Sequence, residues 1–244
     1  MCGRYSLTSP GELVAEVFGL GDFPELEPRY NIAPTQEAAV VRVLSERDAR
    51  HLDRPGDAGR RTLGLLRWGL IPSWADDPGI GNRIINSRAE SAADKPAFRQ
   101  SFERRRCLVA TDGFYEWKPE DGGKQPYRIH RADGRPFALA GLWDRWWQAP
   151  RQPVDSFTIL TVDAAPGFAH IHDRMPAVLA PEAFDAWLDP NGHDRAALLA
   201  LLRPHEEALE AYPVSKAVND PANDLPECTE RLLEHPRYGL FTEV

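Results

Sequence analysis

The 244 residues predict an α+β fold: a largely antiparallel, barrel-like β-sheet core with flanking helices, in one domain spanning 1–244. Three observations carry this. Runs rich in β-branched and aromatic residues outnumber helical periods. Few helices fall between consecutive strands, which disfavours a doubly wound parallel sheet. No Gly/Ser-rich linker, internal repeat or low-complexity tract divides the chain, and its 22 prolines are scattered as turn punctuation.

Ser9-Pro10-Gly11-Glu12 reads as a capping box with proline at the first helical position. Leu13, Val14, Val17 and Phe18 give that helix its apolar face, and Gly19 ends it. Ala38–Leu44 is a strand, and the polar stretch Glu46–Arg61, punctuated by Pro55, Gly56 and Gly59, is a hairpin connection or an excursion. Thr62–Ile71 is a strand stopped by Pro72, and Trp74–Gly81 is a loop. Asp94-Lys95-Pro96 starts a second helix that ends near Phe102. Arg106–Ala110, Pro126–His130, Pro136–Leu142 and Ser156–Val162 are strands by composition. Pro181–Leu188 and Asp194–Leu202 have helical period, and Tyr212–Val218 is a candidate last strand.

At 42% hydrophobic, the chain can bury a sizeable core. No stretch approaches the roughly 20 apolar residues of a membrane span, and no basic region followed by an apolar run opens the chain. A cytoplasmic protein without membrane contact is expected. Cys2, Cys107 and Cys228 are too far apart for a disulfide framework. No C-x-x-C or H-E-x-x-H occurs, so no metal is indicated. The net charge of -8 argues against nucleic acid only in sum. Pro181–Val244 holds 13 acidic and 5 basic residues and so accounts for all of it. Arg83–Arg106 holds seven basic and three acidic residues, either a basic face or a solvated helix surface.

Cys2 is a chance second residue or, once Met1 is trimmed, a new N-terminus. An N-terminal cysteine carries an amine of reference pKa about 7.7–8.0 beside a thiol near 8.5. One aldehyde can react with both, first as an imine and then as a five-membered thiazolidine. Gly3 permits close backbone approach, and Arg4 offers an anion contact. Asn31-Ile32-Ala33-Pro34-Thr35 is a turn by composition. Asn86, Arg88 and Glu90 share a face if the chain is extended, as a binding face or a wet edge. Glu116 lies among Phe114, Tyr115 and Trp117, where desolvation would suit it to proton transfer; otherwise it is a surface carboxylate alternating with core aromatics. His170 and His172 would face the same way in a strand, but no third metal ligand is evident. A single acid–base histidine there has Asp173 as a candidate orienting partner, and Arg174 is a further anion contact.

Six segments occur in one order: Cys2-Gly3-Arg4-Tyr5, Tyr30-Asn31-Ile32-Ala33-Pro34, Arg67-Trp68-Gly69-Leu70-Ile71-Pro72, Ile85-Asn86-Ser87-Arg88-Ala89-Glu90, Gly113-Phe114-Tyr115-Glu116-Trp117-Lys118 and Ile171-His172-Asp173-Arg174-Met175-Pro176. In this order the chain resembles the SOS-response-associated peptidase (SRAP) family of abasic-site-processing proteins, from Cys2 to about Leu179, with weaker support from Pro213-Val214-Ser215 onward. The resemblance implies a monomer without cofactor that senses abasic sites in single-stranded DNA. It implies a thiazolidine cross-link through Cys2, with Asn86 against the thiazolidine and sugar. Glu116 would transfer protons in imine formation, and His172 would assist ring-opening and reversal. Arg4, Arg88 and Arg174 would lie near phosphates, and Trp74 would support a base or part strands. Ala75 stands where some members carry a second tryptophan. The family name also implies a peptidase, at the least one that removes Met1, and lyase activity at abasic sites is a further expectation from the resemblance. The alternatives read from residues alone are an N-terminal-nucleophile amidohydrolase using Cys2 and a DNA-binding module in which Cys2 is incidental.

Overall fold

A computed structural model describes residues 2–148, 150, 152–203 and 209–232. Met1 and the last part of the acidic Pro181–Val244 segment, with the domain end at Val244, lie outside the described residues. The strands are β1 Arg4–Leu7, β2 Arg29–Ile32, β3 Glu37–Val43, β4 Arg61–Trp68, β5 Asn86–Arg88, β6 Arg106–Thr111, β7 Gly113–Glu120, β8 Gly123–Arg131, β9 Phe137–Trp146, β10 Val154–Asp163, β11 Arg174–Pro176, β12 Val178–Leu179 and β13 Leu209–Pro213. The α-helices are short: α1 Gly11–Phe18, α2 Glu46–His51, α3 Ala89–Ala92, α4 Arg99–Arg104, α5 Phe184–Leu188 and α6 Arg195–Ala200.

Five strands close a barrel. β3 pairs with β4 along its whole length, β3 with β6, β6 with β9, and β9 with β10, all antiparallel. The ring closes through a short parallel contact, Ser156 opposite Arg67 and Phe157 opposite Trp68. Beyond that contact β5 replaces β4 beside β10, with Asn86 opposite Ile159. On its other edge, β10 parts from β9 and the β11–β12 segment fills the gap. Ala177 donates to the Leu160 carbonyl and accepts from the Ala140 amide, each at 2.8 Å. The β10 strand therefore carries both barrel and site.

A second sheet, in the order β13-β8-β7-β1-β2, packs on the barrel. Buried aromatics join the two layers. Tyr5 meets Trp68 edge-on at 5.1 Å, Trp68 stacks on Phe157 at 6.4 Å, and Phe114 meets Phe137 at 6.5 Å. β1 has only four residues but is paired on both edges, Tyr5 lying opposite Ile32 and Phe114. The buried Asp112 carboxylate, at the crossing from β6 to β7, holds its far end. It accepts from Ser6 Oγ at 2.6 Å, Thr8 Oγ1 at 2.7 Å, the Ser9 amide at 3.0 Å and Arg128 Nη2 at 3.0 Å. Arg128 lies so close over Gly113 that a Cβ there would sit 2.7 Å from the guanidinium.

The α+β, barrel-like expectation holds, with local corrections. Ser9 does not cap α1: its amide turns to the charged Asp112 acceptor, and the Pro10 carbonyl takes the first helix amides at 3.1 Å. The β4 strand stops at Trp68 rather than Ile71, because Gly69 turns with φ 118°. A Cβ there would meet the Gly81 carbonyl oxygen at 2.4 Å, so the loop carrying Trp74 folds back on its own stem. Asp94-Lys95-Pro96 makes a turn, and α4 begins only at Arg99, since a residue before proline is held away from helix. Tyr212–Val218 is strand only to Pro213; Ser215 then accepts from the Ala217 amide and starts a 3-10 turn.

Removing the Asp112 carboxylate leaves the buried Arg128 cation uncompensated. Asp112→Ala is expected to lower the unfolding free energy by about 3–5 kcal/mol in denaturant melts.

Candidate active site and nucleic-acid interface

Cys2 is fully buried in front of β1. Its carbonyl accepts from Asn86 Nδ2 at 2.6 Å, which ties the start of the chain to β5 on the barrel. Asn86 Oδ1 is buried and has no hydrogen-bond partner, so an acceptor remains at the site. Burial, followed by the nearby Glu116 charge, pushes the Cys2 thiol up.

Glu116 and Phe114 share one face of β7 by two-residue alternation, and Phe114 packs on the barrel. Glu116 is only 3% exposed, and desolvation raises its pKa to about 7. The positive chain terminus opposes that rise, and Asp173 adds to it. A carboxylic acid with its pKa in this range can donate a proton at neutral pH.

His172 follows a turn, not a strand, because Phe168 and Ile171 close reverse-turn hydrogen bonds at Ala165 and Phe168. His170 and His172 therefore do not form a strand pair, and His170 is exposed. The Arg174 amide donates to His172 Nδ1 at 2.9 Å, and the Asp173 carboxylate lies 2.9 Å from the same nitrogen. Burial and the positive terminus lower the pKa of His172 against the pull of Asp173. Lowered from its ordinary value, the ring is mostly neutral at pH 7. Among the described residues, no group of three His, Cys, Asp or Glu side chains could hold a metal ion.

The basic residues divide. Arg88 is exposed at the end of β5. Arg4 is half-buried, bonding the Gly3 carbonyl at 2.8 Å and the Asn219 carbonyl at 3.4 Å, and burial lowers its pKa. Arg174 is engaged inside the protein, with Nη1 2.6 Å from both Glu90 and Asp163 and Nη2 2.6 Å from the Thr161 carbonyl. Glu90 reaches it from α3, so Asn86, Arg88 and Glu90 do not share an extended face. Trp74 stands 57% exposed in the Leu70–Ile84 loop. Asn219 was not legible as a site residue: its side chain receives Trp117 Nε1 at 2.7 Å and its carbonyl meets Arg4, from a turn with no motif.

The class defined is a two-layer protein with a buried thiol near the start of its chain and a raised acid close enough to act on it. Residues 1–221 match the family described as SOS response associated peptidase (SRAP), and the chain belongs to it. It is 40% identical to the abasic site processing protein YoqW of Bacillus subtilis, over 94% of this chain and 99% of that one. It is 33% identical to the abasic site processing protein HMCES of Xenopus tropicalis, over 90% of this chain and 70% of that one. A crystal structure of a protein from Bacteroides thetaiotaomicron superposes with a TM-score of 0.80 at 26% identity, covering 95% of this chain and all of that one.

All three thiols are buried. With Met1 retained, the native protein at neutral pH is expected to show no fast-reacting thiol in a colorimetric disulfide assay. In denaturant it should show three. A fast native thiol would contradict the burial of Cys2.

Proposed function

We propose that the protein captures abasic sites in single-stranded DNA as a thiazolidine on Cys2, in the cytoplasm, as a monomer, after loss of Met1. The observation that carries this is the meeting of Cys2, Asn86 and the raised Glu116 acid at one buried point. The abasic site processing names of its relatives point the same way.

The free Cys2 amine adds to the C1′ aldehyde of the opened sugar. Glu116 protonates the departing hydroxyl, water leaves and an imine forms; Glu116 recovers its proton from the nitrogen. The thiol then adds to the imine carbon, a C–S bond forms, and the sulfur's proton ends on nitrogen. Water is the only product released. His172, its pKa lowered, exchanges protons with the sugar hydroxyl in ring-opening and in reversal. Asn86 holds the Cys2 carbonyl and offers Oδ1 to the product. Arg88 and Arg4 take the flanking phosphates, with Arg174 joining when a phosphate replaces its carboxylate partners. Trp74 stacks on a neighbouring base. Removal of Met1 by the chain itself and strand cleavage by elimination at the captured sugar belong to the same reading.

Mature protein mixed with an abasic oligonucleotide should give a heat-stable shifted band on a denaturing gel, absent for Cys2→Ala. No band, or a band that survives Cys2→Ala, would sink the reading. Because the acid form of Glu116 is lost as pH rises through about 7, the linkage rate should decline above that pH. Glu116→Gln should slow linkage by about 10²-fold and abolish that decline; an unchanged rate removes Glu116 from the mechanism.

A further inference from the structure

Two adjoining cavities of 690 and 340 Å³ lie beside α2 and α4, away from Cys2. They share Arg47, Asp48, Gln100 and Arg105, and so form one cleft. Arg145 lines one end and Arg104 the other. Among the described residues, Asp48 is the one carboxylate on these walls, and Arg105 binds it at 2.8 Å. Arg105 also bonds Asp144, and Arg145 lies 3.6 Å from Asp155. Arg47 and Arg104 are exposed and take part in no ion pair among the described residues. On a chain of net charge -8 this is a concentrated cationic surface, and Arg104 and Arg105 are where the basic Arg83–Arg106 segment comes to rest.

The cleft borders the loop that carries Trp74. Ser73 lines it and is tied there by its amide, 2.8 Å from Asp144. The next residue is the exposed Trp74, and Trp147 on the same rim is 66% exposed. Gln152 and Pro153, at the start of β10, complete that rim, while Asn86 lies opposite Ile159 farther along the same strand. Six strand steps from Pro153 to Ile159 at ~3.3 Å put the two regions about 20 Å apart along β10. That is about six nucleotides of a stacked strand at ~3.4 Å each.

We propose that this cleft is a second binding tract for the same DNA strand. Arg47 and Arg104 contact phosphates, and Trp147 stacks a base some six nucleotides from the captured sugar. Interleaved cations and exposed indoles are what single-stranded nucleic acid requires. The inference rests on the proposed capture of abasic DNA.

The test compares Arg47→Ala/Arg104→Ala with the parent protein by fluorescence anisotropy. Two oligonucleotides carry a non-reactive tetrahydrofuran abasic analogue, one of about 3 nucleotides and one of about 15, the latter long enough to span the ~20 Å. The parent should bind the longer strand at least ten-fold more tightly. The variant should lose most of that gain, with its salt slope falling by about 1.4 for two lost phosphate contacts. Its capture of a short reactive abasic strand should equal the parent's. Retention of the length gain, or loss of it by an acidic peptide competitor only, would overturn the second tract. A parent that captures no abasic DNA would overturn the underlying reading instead, so the two failures are distinct.

Discussion

The buried Asp112 carboxylate fixes where the reactive end of the chain lies. A strand of four residues at a terminus frays unless it is tied down, and β1 has one covalent neighbour to help it. Asp112 compensates by gathering Ser6, Thr8, Ser9 and Arg128 at the inner end of β1. Tyr5, packed on Trp68, then sets how the strand sits on the barrel. With that end and that face fixed, Cys2 falls where Asn86 can hold its carbonyl. The register of β1 against β7 also sets which β7 side chains reach the start of the chain, because Arg4 lies opposite Tyr115. Glu116 is the next residue.

Burial of Cys2 and its neighbours pushes titratable groups in opposite senses. Glu116 rises to about 7 and His172 falls, so at neutral pH one is substantially an acid while the other is a neutral ring. Divergence of this kind assigns proton-donating and proton-accepting roles at one pH. Both shifts begin with desolvation, and the positive chain terminus lowers both groups. For Glu116 this works against desolvation, and for His172 it works with it. The charge at the start of the chain is therefore part of the acid–base balance.

Much of the barrel was legible because its strands are buried β-branched or apolar runs: β3, β6, β9 and β10 lie within a residue or two of their sequence positions except at the extended ends of β9 and β10. The second sheet was less so. β1, β2 and β7 mix small, polar and aromatic residues, and their stability comes from pairing and the aromatic interface rather than from local preference. Site residues followed the same division. Asn86 bonds the Cys2 carbonyl and the Glu116 charge reaches the thiol, because each residue sits on a paired strand or at its end. The shared face of Asn86, Arg88 and Glu90 failed, since the chain turns into α3 at Ala89. Asn31 looked like a turn residue; its amide instead spans three carbonyls at Val218, Asp220 and Asn223, a closure made by long-range contact alone.

Charge was the least legible property, because a sequence count does not show which arginines are already paired. Arg174 belongs to the most conspicuous titratable segment, yet two carboxylates and a backbone carbonyl occupy its guanidinium. Arg106, counted in the basic segment, is buried and bonds carbonyls of Trp187, Phe102 and Glu103, so it holds α5 against the barrel. Its neighbours Arg104 and Arg105 turn to the cleft. An interior arginine contributes little outward field once its donors are filled, whereas an exposed, unpaired one attracts phosphate over about a Debye length. Arg88, Arg47 and Arg104 are among the exposed arginines that take part in no ion pair among the described residues, so they contribute outward field where the engaged Arg106 and Arg174 do not.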